Sequence, residues 1–267
     1  MIQISALNIY PVKSMAGISL SSSAVDKMGL KYDRRWMVVS PQGKFITQRS
    51  HPQMALIQPH LNQGQLSLSS FGLEDHFVPA VNSDSPSQSV LVWNDTVQAK
   101  HLSKETDQWL QHTIGEPCHL VYMEASEVRQ CDLSYAQQGD RTGFSDGFPL
   151  LLISEASLED LNQKLVQNSS KPVTMQRFRP NLVVKGCDAF AEDQWQNIQI
   201  NHIFFRIVKP CSRCIVTTVN PKLGIVSSPE PLRTLATYRK RANKILFGQN
   251  IIHDQIGVLN VGDCVQI

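Results

Sequence analysis

The sequence predicts a β-rich α+β fold, and three observations predict it. Short apolar, β-branched runs alternate with Gly, Pro and Asn punctuation along most of the chain. Helical spacing of apolar residues is confined to three short stretches. The regular strand–helix alternation that a doubly wound parallel sheet requires is missing.

Taken in order, Ile2, Ile4, Leu7 and Ile9 form the first apolar run and lead into Tyr10-Pro11-Val12-Lys13-Ser14. Trp36-Met37-Val38-Val39 stops at the turn residues Pro41-Gln42-Gly43, and Val90-Leu91-Val92-Trp93 is closed by Asn94-Asp95. Short strands with such turns between them suggest a barrel or sandwich for the first third. Asn82 to Ser87 reads as an exposed loop. Ser103 to Gly115, with Trp109, Leu110 and Ile114, carries the cap residues of a helix. Ser154 to Leu165 places Leu158, Leu161 and Leu165 on one face behind a Ser/Glu start. A third helix begins near Pro231, with Leu232, Leu235 and Tyr238 at suitable offsets. Strands are expected at Asn181–Val184, Ile203–Val208, Ile215–Val219 and Gly257–Leu259. The softest boundary between two units lies near Gly115 to Tyr122.

Composition narrows the function. The chain has 267 residues, 42% of them hydrophobic, so it can bury a sizeable core without disulfides. Charged residues are only 18% and the formal net charge is +2, which excludes a disordered chain and argues against a dedicated nucleic-acid binder. No stretch approaches the roughly 20 apolar residues of a membrane helix. Met1-Ile2-Gln3-Ile4-Ser5 lacks a secretory pattern. The expectation is a cytoplasmic protein with no membrane association.

Of the six cysteines, Cys118, Cys131, Cys187 and Cys264 are isolated, whereas Cys211 and Cys214 share a Cys-Ser-Arg-Cys step. Zinc is unfavoured at this pair, because no second Cys-x-x-Cys and no His-x₃₋₅-His accompanies it. A thioredoxin-like dithiol is a weak reading: the β-branched run Ile215–Val219 follows as a strand, so no helix dipole would lower a thiol pKa. Two readings stay open, a structural pair of thiols or a single thiolate bound to a soft metal carried by a cofactor. In the second, Pro210 ends a strand and leaves Cys211 to Cys214 as a tight turn. Arg177, Arg179, Lys185 and Arg213 would then suit a cofactor phosphate, unless they form a solvated basic face.

These motifs resemble a known family, the MOSC-domain proteins with an N-terminal MOSC β-barrel domain, of the bacterial YcbX type and the mitochondrial amidoxime-reducing component type. The resemblance rests on Tyr10-Pro11-Val12-Lys13-Ser14, Asp33-Arg34-Arg35-Trp36, Phe148-Pro149 through Ser154-Glu155-Ala156-Ser157-Leu158, and Arg177-Phe178-Arg179-Pro180-Asn181. It continues through Cys211-Ser212-Arg213-Cys214 with Thr217-Thr218, and Phe247-Gly248-Gln249-Asn250, and so covers essentially the whole chain. It implies a barrel-like domain at residues 1–115 packed on a MOSC β-barrel domain with short helices at 116–267.

The resemblance further implies a molybdenum cofactor, with Cys214 as the metal ligand and catalytic centre. The cofactor contacts it implies fall on Lys13, Ser14, Arg34, Gly147, Phe148, Arg179, Asn181, Ser212, Arg213 and Asn250. Lys13, Arg34 and Arg179 would neutralise the cofactor phosphate, and the amide of Asn181 would meet the pterin edge. The implied activity is reduction of small N-hydroxylated compounds (hydroxylaminopurines, amidoximes, hydroxylamines). No ferredoxin-like cysteine cluster follows Val265-Gln266-Ile267, so electrons are expected from a separate donor, a ferredoxin-type protein or flavoprotein reductase. The rival expectation is a molybdenum-cofactor or sulfur carrier module without turnover, as in the terminal part of molybdenum-cofactor sulfurases. Arg233, Arg239, Lys240, Arg241 and Lys244, placed on the late helix, are read as a docking face for an acidic donor or as a solvated face.

Overall fold

Most of the apolar runs become strands, and the longest of them assemble one nine-stranded mixed sheet. The computed structural model describes residues 1–267. Along the sheet the order is Ile18–Leu20, Gln3–Ile9, Leu182–Lys185, Leu150–Ser154, Lys244–His253, Ile203–Arg213, Asn197–Ile200 and Val265–Gln266, with Lys240–Arg241 paired onto Lys244–His253. Only Leu150–Ser154 and Leu182–Lys185 run parallel within it. Between them in sequence lies a helix, Glu155–Gln167, as such a crossover requires. With Lys104–Ile114 as α1, this helix is α2. Its N-terminus is capped by Ser154, whose Oγ accepts the Ser157 N–H.

Alternation along the central strands separates two cores. Leu150 and Leu152 join Leu7, Leu182, Phe205 and Ile251 in a cluster of 17 buried residues on one face. Leu151 and Ile153 point the other way and pack with Leu161 and Leu165 of α2, and with Leu235 and Phe247.

A four-stranded sheet, Trp36–Val39, His119–Tyr122, Asp95–His101 and Ser87–Val92, builds the other half. Against it packs α1, whose Ser103 cap accepts the Thr106 N–H and whose chain turns out at Gly115. Trp36, Met54, Leu110 and Leu120 share the cluster of 14 buried residues in this half. Backbone pairing crosses residue 115 in both directions. Gln3–Ile9 pairs with Leu182–Lys185, and Ser22–Asp26 with Gly257–Asn260. His119–Tyr122 pairs back onto Trp36–Val39.

Two local expectations are corrected. Pro210 does not end a strand: Ile203–Arg213 runs straight through it, with Pro210 opposite Gln249. Asn197–Ile200 flanks this strand only as far as Arg206, so the missing N–H of Pro210 falls where one side is unpaired. And Ile215–Thr218 is a 3₁₀ turn, not a strand. Carbonyls of this turn are gathered by the Arg177 guanidinium, which overrides β-branched propensity. The third helix, α3 (Leu232–Tyr238), starts where expected.

The register of Ile203–Arg213 slips between Pro210–Gln249 and Ser212–Leu246, so Phe247 and Gly248 together stand opposite Cys211. Gly248 has φ +78°, and a Cβ there would lie 2.6 Å from Ile153 Cγ1 and 2.9 Å from the Leu152 carbonyl oxygen. Gly248→Ala is therefore expected to destabilise the protein by about 2–4 kcal/mol, from left-handed strain plus overpacking. Urea denaturation with an unchanged m-value would check it.

Candidate functional site

All eleven residues expected at the site line one cleft of about 850 Å³, measured to its open mouth. The bulged end of Ile203–Arg213 delivers Ser212 and Arg213 and releases Cys214 beyond it. The neighbouring strand supplies Asn250. Gly147 and Phe148 come from the segment before Leu150–Ser154, and Arg179 and Asn181 from the approach to Leu182–Lys185. Lys13, Ser14 and Arg34 come from the N-terminal third.

The backbone is strained where it turns side chains inward. Ser14, Arg34 and Arg179 have φ of +70°, +46° and +56°. Each such non-glycine conformation costs about 1–3 kcal/mol and persists only when its surroundings hold it. Gln48, buried, donates from Nε2 to the Ser14 carbonyl at 2.6 Å. The Arg34 N–H donates to the Tyr10 carbonyl at 3.0 Å.

Two guanidinium groups flank one tyrosine. Arg34 and Arg179 lie 4.3 and 4.2 Å from the centre of the Tyr10 ring. Arg34 donates from Nη1 to Asp33 Oδ2 at 2.6 Å and to Asn181 Oδ1 at 2.9 Å, and from Nη2 to the Arg179 carbonyl at 3.0 Å. Arg179 donates only to the Met15 carbonyl, at 2.6 Å, and has no carboxylate partner. Burial and the neighbouring Arg34 push its pKa down to about 10, so it stays charged at neutral pH. Burial pushes the Tyr10 phenol up to about 12, so the ring between them stays neutral. With one carboxylate for two cations, this corner carries excess positive charge that an anionic group would relieve.

Arg213 adds a third cation. It donates from Nε to the Phe247 carbonyl at 2.8 Å and from Nη1 to the Phe178 carbonyl at 3.0 Å. Its Nη2 is buried with no partner. An orphaned donor in a cleft is a place for a ligand oxygen. Arg177 works differently: its Nη1 reaches the carbonyls of Thr217, Thr218 and Val219 at 3.2, 2.8 and 3.1 Å and so ties down the turn that follows Cys214. The Cys214 carbonyl accepts from the N–H and Oγ1 of Thr217, at 3.1 and 3.0 Å. Both motif thiols line the cleft. Burial pushes the Cys211 thiol up.

Several expectations change on contact with the geometry. Asn181 is 1% exposed and its amide is spent on the fold: Oδ1 accepts from Arg34 and from the Leu151 N–H, and Nδ2 donates to the Asn8 carbonyl. Its acceptor face is therefore not free for a pterin edge. Asn250 donates from Nδ2 to the Lys209 carbonyl at 3.1 Å, and its oxygen remains available. Lys185 is exposed at a strand end, outside the cleft. The basic cluster is not one helix face either. Arg239 is largely covered and pairs with Asp193 at 2.5 Å while stacking on Phe190, and Lys240, Arg241 and Lys244 belong to a hairpin beyond α3.

Two residues at the mouth escaped the sequence reading. Asp146 accepts from Lys13 Nζ at 2.7 Å and from Arg49 Nη2 at 3.3 Å. Arg49 also stacks on Trp93 at 4.6 Å. What desolvation Asp146 feels raises its pKa, but Lys13 and Arg49 hold it well below the usual carboxylate range. The side chain is 61% exposed, so solvent screens this pairing and it adds little stability. The adjacency of Asp146 to Gly147-Phe148 was the one signal available.

A phosphate-bearing cofactor with a soft metal fits these residues. Three guanidinium groups with a deficit of carboxylates and one unpartnered buried donor suit the phosphate, and the Cys214 thiol suits the metal. Gly147 fits as well, since a Cβ there would meet no protein atom within 4 Å, and its backbone is bare toward the cleft. Arg177→Met, by freeing three carbonyls, is expected to cost about 1.5–3 kcal/mol in urea denaturation, with Arg241→Met as the surface control changing stability by less than about 0.5 kcal/mol.

Comparison with known proteins identifies the family. Residues 1–117 match the MOSC N-terminal beta barrel domain and residues 139–266 match the MOSC domain. The chain is 33% identical to mitochondrial amidoxime-reducing component 1 of Mus musculus and of Homo sapiens, over 99% of this chain and 82% of each of those proteins. It is also 33% identical to a molybdenum cofactor sulfurase of Oryza sativa subsp. japonica, over 96% of this chain and 33% of that protein. No helix is long and apolar enough to cross a membrane. The chain belongs to the MOSC-domain family, among members that carry the MOSC N-terminal β-barrel domain.

Proposed function

We propose that this protein is a molybdenum-cofactor-dependent oxidoreductase that reduces small N-hydroxylated compounds, with electrons from a separate ferredoxin-type or flavoprotein donor. The observation that carries the reading is the convergence on one cleft of the Cys214 thiol and three guanidinium groups, Arg34, Arg179 and Arg213, that share a single carboxylate, Asp33. The likeness to amidoxime-reducing components supports the reaction class. All six cysteines are free, which suits a reducing compartment such as the cytoplasm.

In this reading residues 1–115 bring Lys13, Ser14 and Arg34 to a site whose thiol side belongs to residues 116–267. Arg34, Arg179 and Arg213 hold the phosphate. The Gly147-Phe148 backbone, Ser14, Ser212 and the Asn250 oxygen orient the pterin. Cys214 anchors the metal as a thiolate, held in place by the Arg177-tied turn. When bound, the cofactor supplies a centre that passes two electrons and accepts oxygen. The net change at the substrate is cleavage of the N–O bond: two electrons and two protons enter, and the amine and water leave. Asp146, held as a carboxylate, keeps a negative charge at the mouth beside Lys13 and Arg49 through the neutral range.

The experiment is molybdenum and pterin analysis, with hydroxylamine and amidoxime reduction by an artificial donor, on protein made in cells that produce the cofactor. Wild type is expected to carry both near one per chain and to turn over. Cys214→Ser is expected to lose the metal or all turnover. Arg179→Gln is expected to retain pterin roughly 10- to 100-fold less tightly, the loss of a charged hydrogen bond to phosphate. The likeness to a molybdenum cofactor sulfurase favours a second reading, a carrier that binds cofactor without turnover. Wild type fully loaded yet inactive with every N-hydroxylated substrate would establish the carrier and end the reductase proposal.

A further inference from the structure

Far along the sequence from the cleft-lining segments, three potential ligands meet on the N-terminal half. His101 ends the strand Asp95–His101, Asp107 sits in the first turns of α1, and His119 opens the strand His119–Tyr122. His101 Nε2 and His119 Nδ1 both lie 2.7 Å from Asp107 Oδ2. One potential ligand atom from each lies within 4.8 Å of the others. The other carboxylate oxygen, Oδ1, accepts the Leu120 N–H at 3.2 Å, which fixes the plane of the carboxylate. The two imidazoles meet edge to face, 5.1 Å between ring centres.

The electrostatics are incomplete. Asp107 pairs with no lysine or arginine, only with the two histidines. The cluster is open to solvent, with side chains 21%, 14% and 33% exposed at His101, Asp107 and His119, so an ion can reach it and water can complete a fourth position.

We propose that His101, Asp107 and His119 form a binding site for a divalent transition metal, with zinc the best match to two imidazoles and a carboxylate. The site is distinct from the cofactor cleft and does not depend on the function assigned there. Tetrahedral zinc places its ligands about 3.3 Å apart, so each imidazole nitrogen needs to stand about half an ångström farther from Asp107 Oδ2 than its present 2.7 Å. Binding requires the ring nitrogens that face Asp107 to be free of protons, with the ring proton on the outer nitrogen of each imidazole. Because the ligands belong to two strands and a helix, the bound ion would pin α1 onto the sheet.

The test is titration of the purified, cofactor-loaded chain, washed with chelator, using ZnCl₂ and CoCl₂. One equivalent of cobalt is expected to bind with visible ligand-field bands and no thiolate-to-metal charge-transfer band. Zinc at a hundredfold excess over Kd is expected to raise Tm by about 5–10 °C. His119→Ala and Asp107→Asn are each expected to weaken binding at least about tenfold, while Cys214→Ser leaves this equivalent unchanged. Wild type that takes up no cobalt would overturn the proposal. So would cobalt bound with a charge-transfer band that disappears in Cys214→Ser, or unchanged affinity in a His119→Ala protein with wild-type circular dichroism. The wild-type cobalt spectrum decides the ligand type even where a variant fails to fold.

Discussion

The largely buried guanidinium of Arg34 is the constraint on which the site depends. A cation taken out of water at the junction of several chain segments must be paired and hydrogen-bonded or it expels itself. Asp33 supplies the charge, Asn181 and the Arg179 carbonyl supply the remaining acceptors, and Tyr10 supplies a ring face. Each of those partners is held in turn: Asp33 by the Tyr10 N–H, and Asn181 by Leu151 and Asn8. Satisfying one charge thereby fixes the first strand, the Asp33-Arg34 turn and the entrance to Leu182–Lys185 against each other. It also consumes the Asn181 amide, which is why that residue lines the cleft without having its acceptor face free.

Around this node the charges do not balance. Arg179 is brought next to Arg34 with no carboxylate of its own, and Arg213 arrives from the opposite strand with one donor unpartnered. Protein interiors satisfy such groups unless something else is meant to, so the imbalance itself describes the ligand: anionic and rich in acceptor oxygens. On the thiol side, the bulge opposite Gly248 and the carbonyls gathered by Arg177 set where Cys214 leaves the sheet. The rigid long strand and the tied turn make the sulfur position a property of the fold rather than of a mobile loop.

Much of the architecture was legible in the chain. Ser103 and Gly115 bracket α1 because a short hydroxyl side chain and a residue free to adopt positive φ are local requirements of a helix's two ends. Ser154 marks α2 for the same reason. Trp36–Val39 and Leu182–Lys185 are strands as their β-branched content suggests. Ile215–Thr218 defied the same logic, since carbonyls claimed by the remote Arg177 outweigh β propensity. Pro210 misled because a proline is excluded from a sheet only where its missing N–H would face a partner, and pairing on that side is a long-range fact. Arg239 looked like surface charge because its partner Asp193 lies on a distant segment.

By itself, then, the sequence determined the β-rich class and where its helices start, because caps and periodicity are local in the chain, while the family resemblance singled out the expected site residues. Only the tertiary structure decided which charges are compensated and which are not. It set Asp146 and Arg49 at the cleft mouth, spent Asn181 on the fold, and brought His101, Asp107 and His119 to one point. Pairing and desolvation depend on neighbours supplied by remote segments, and no spacing rule along the chain contains those distances.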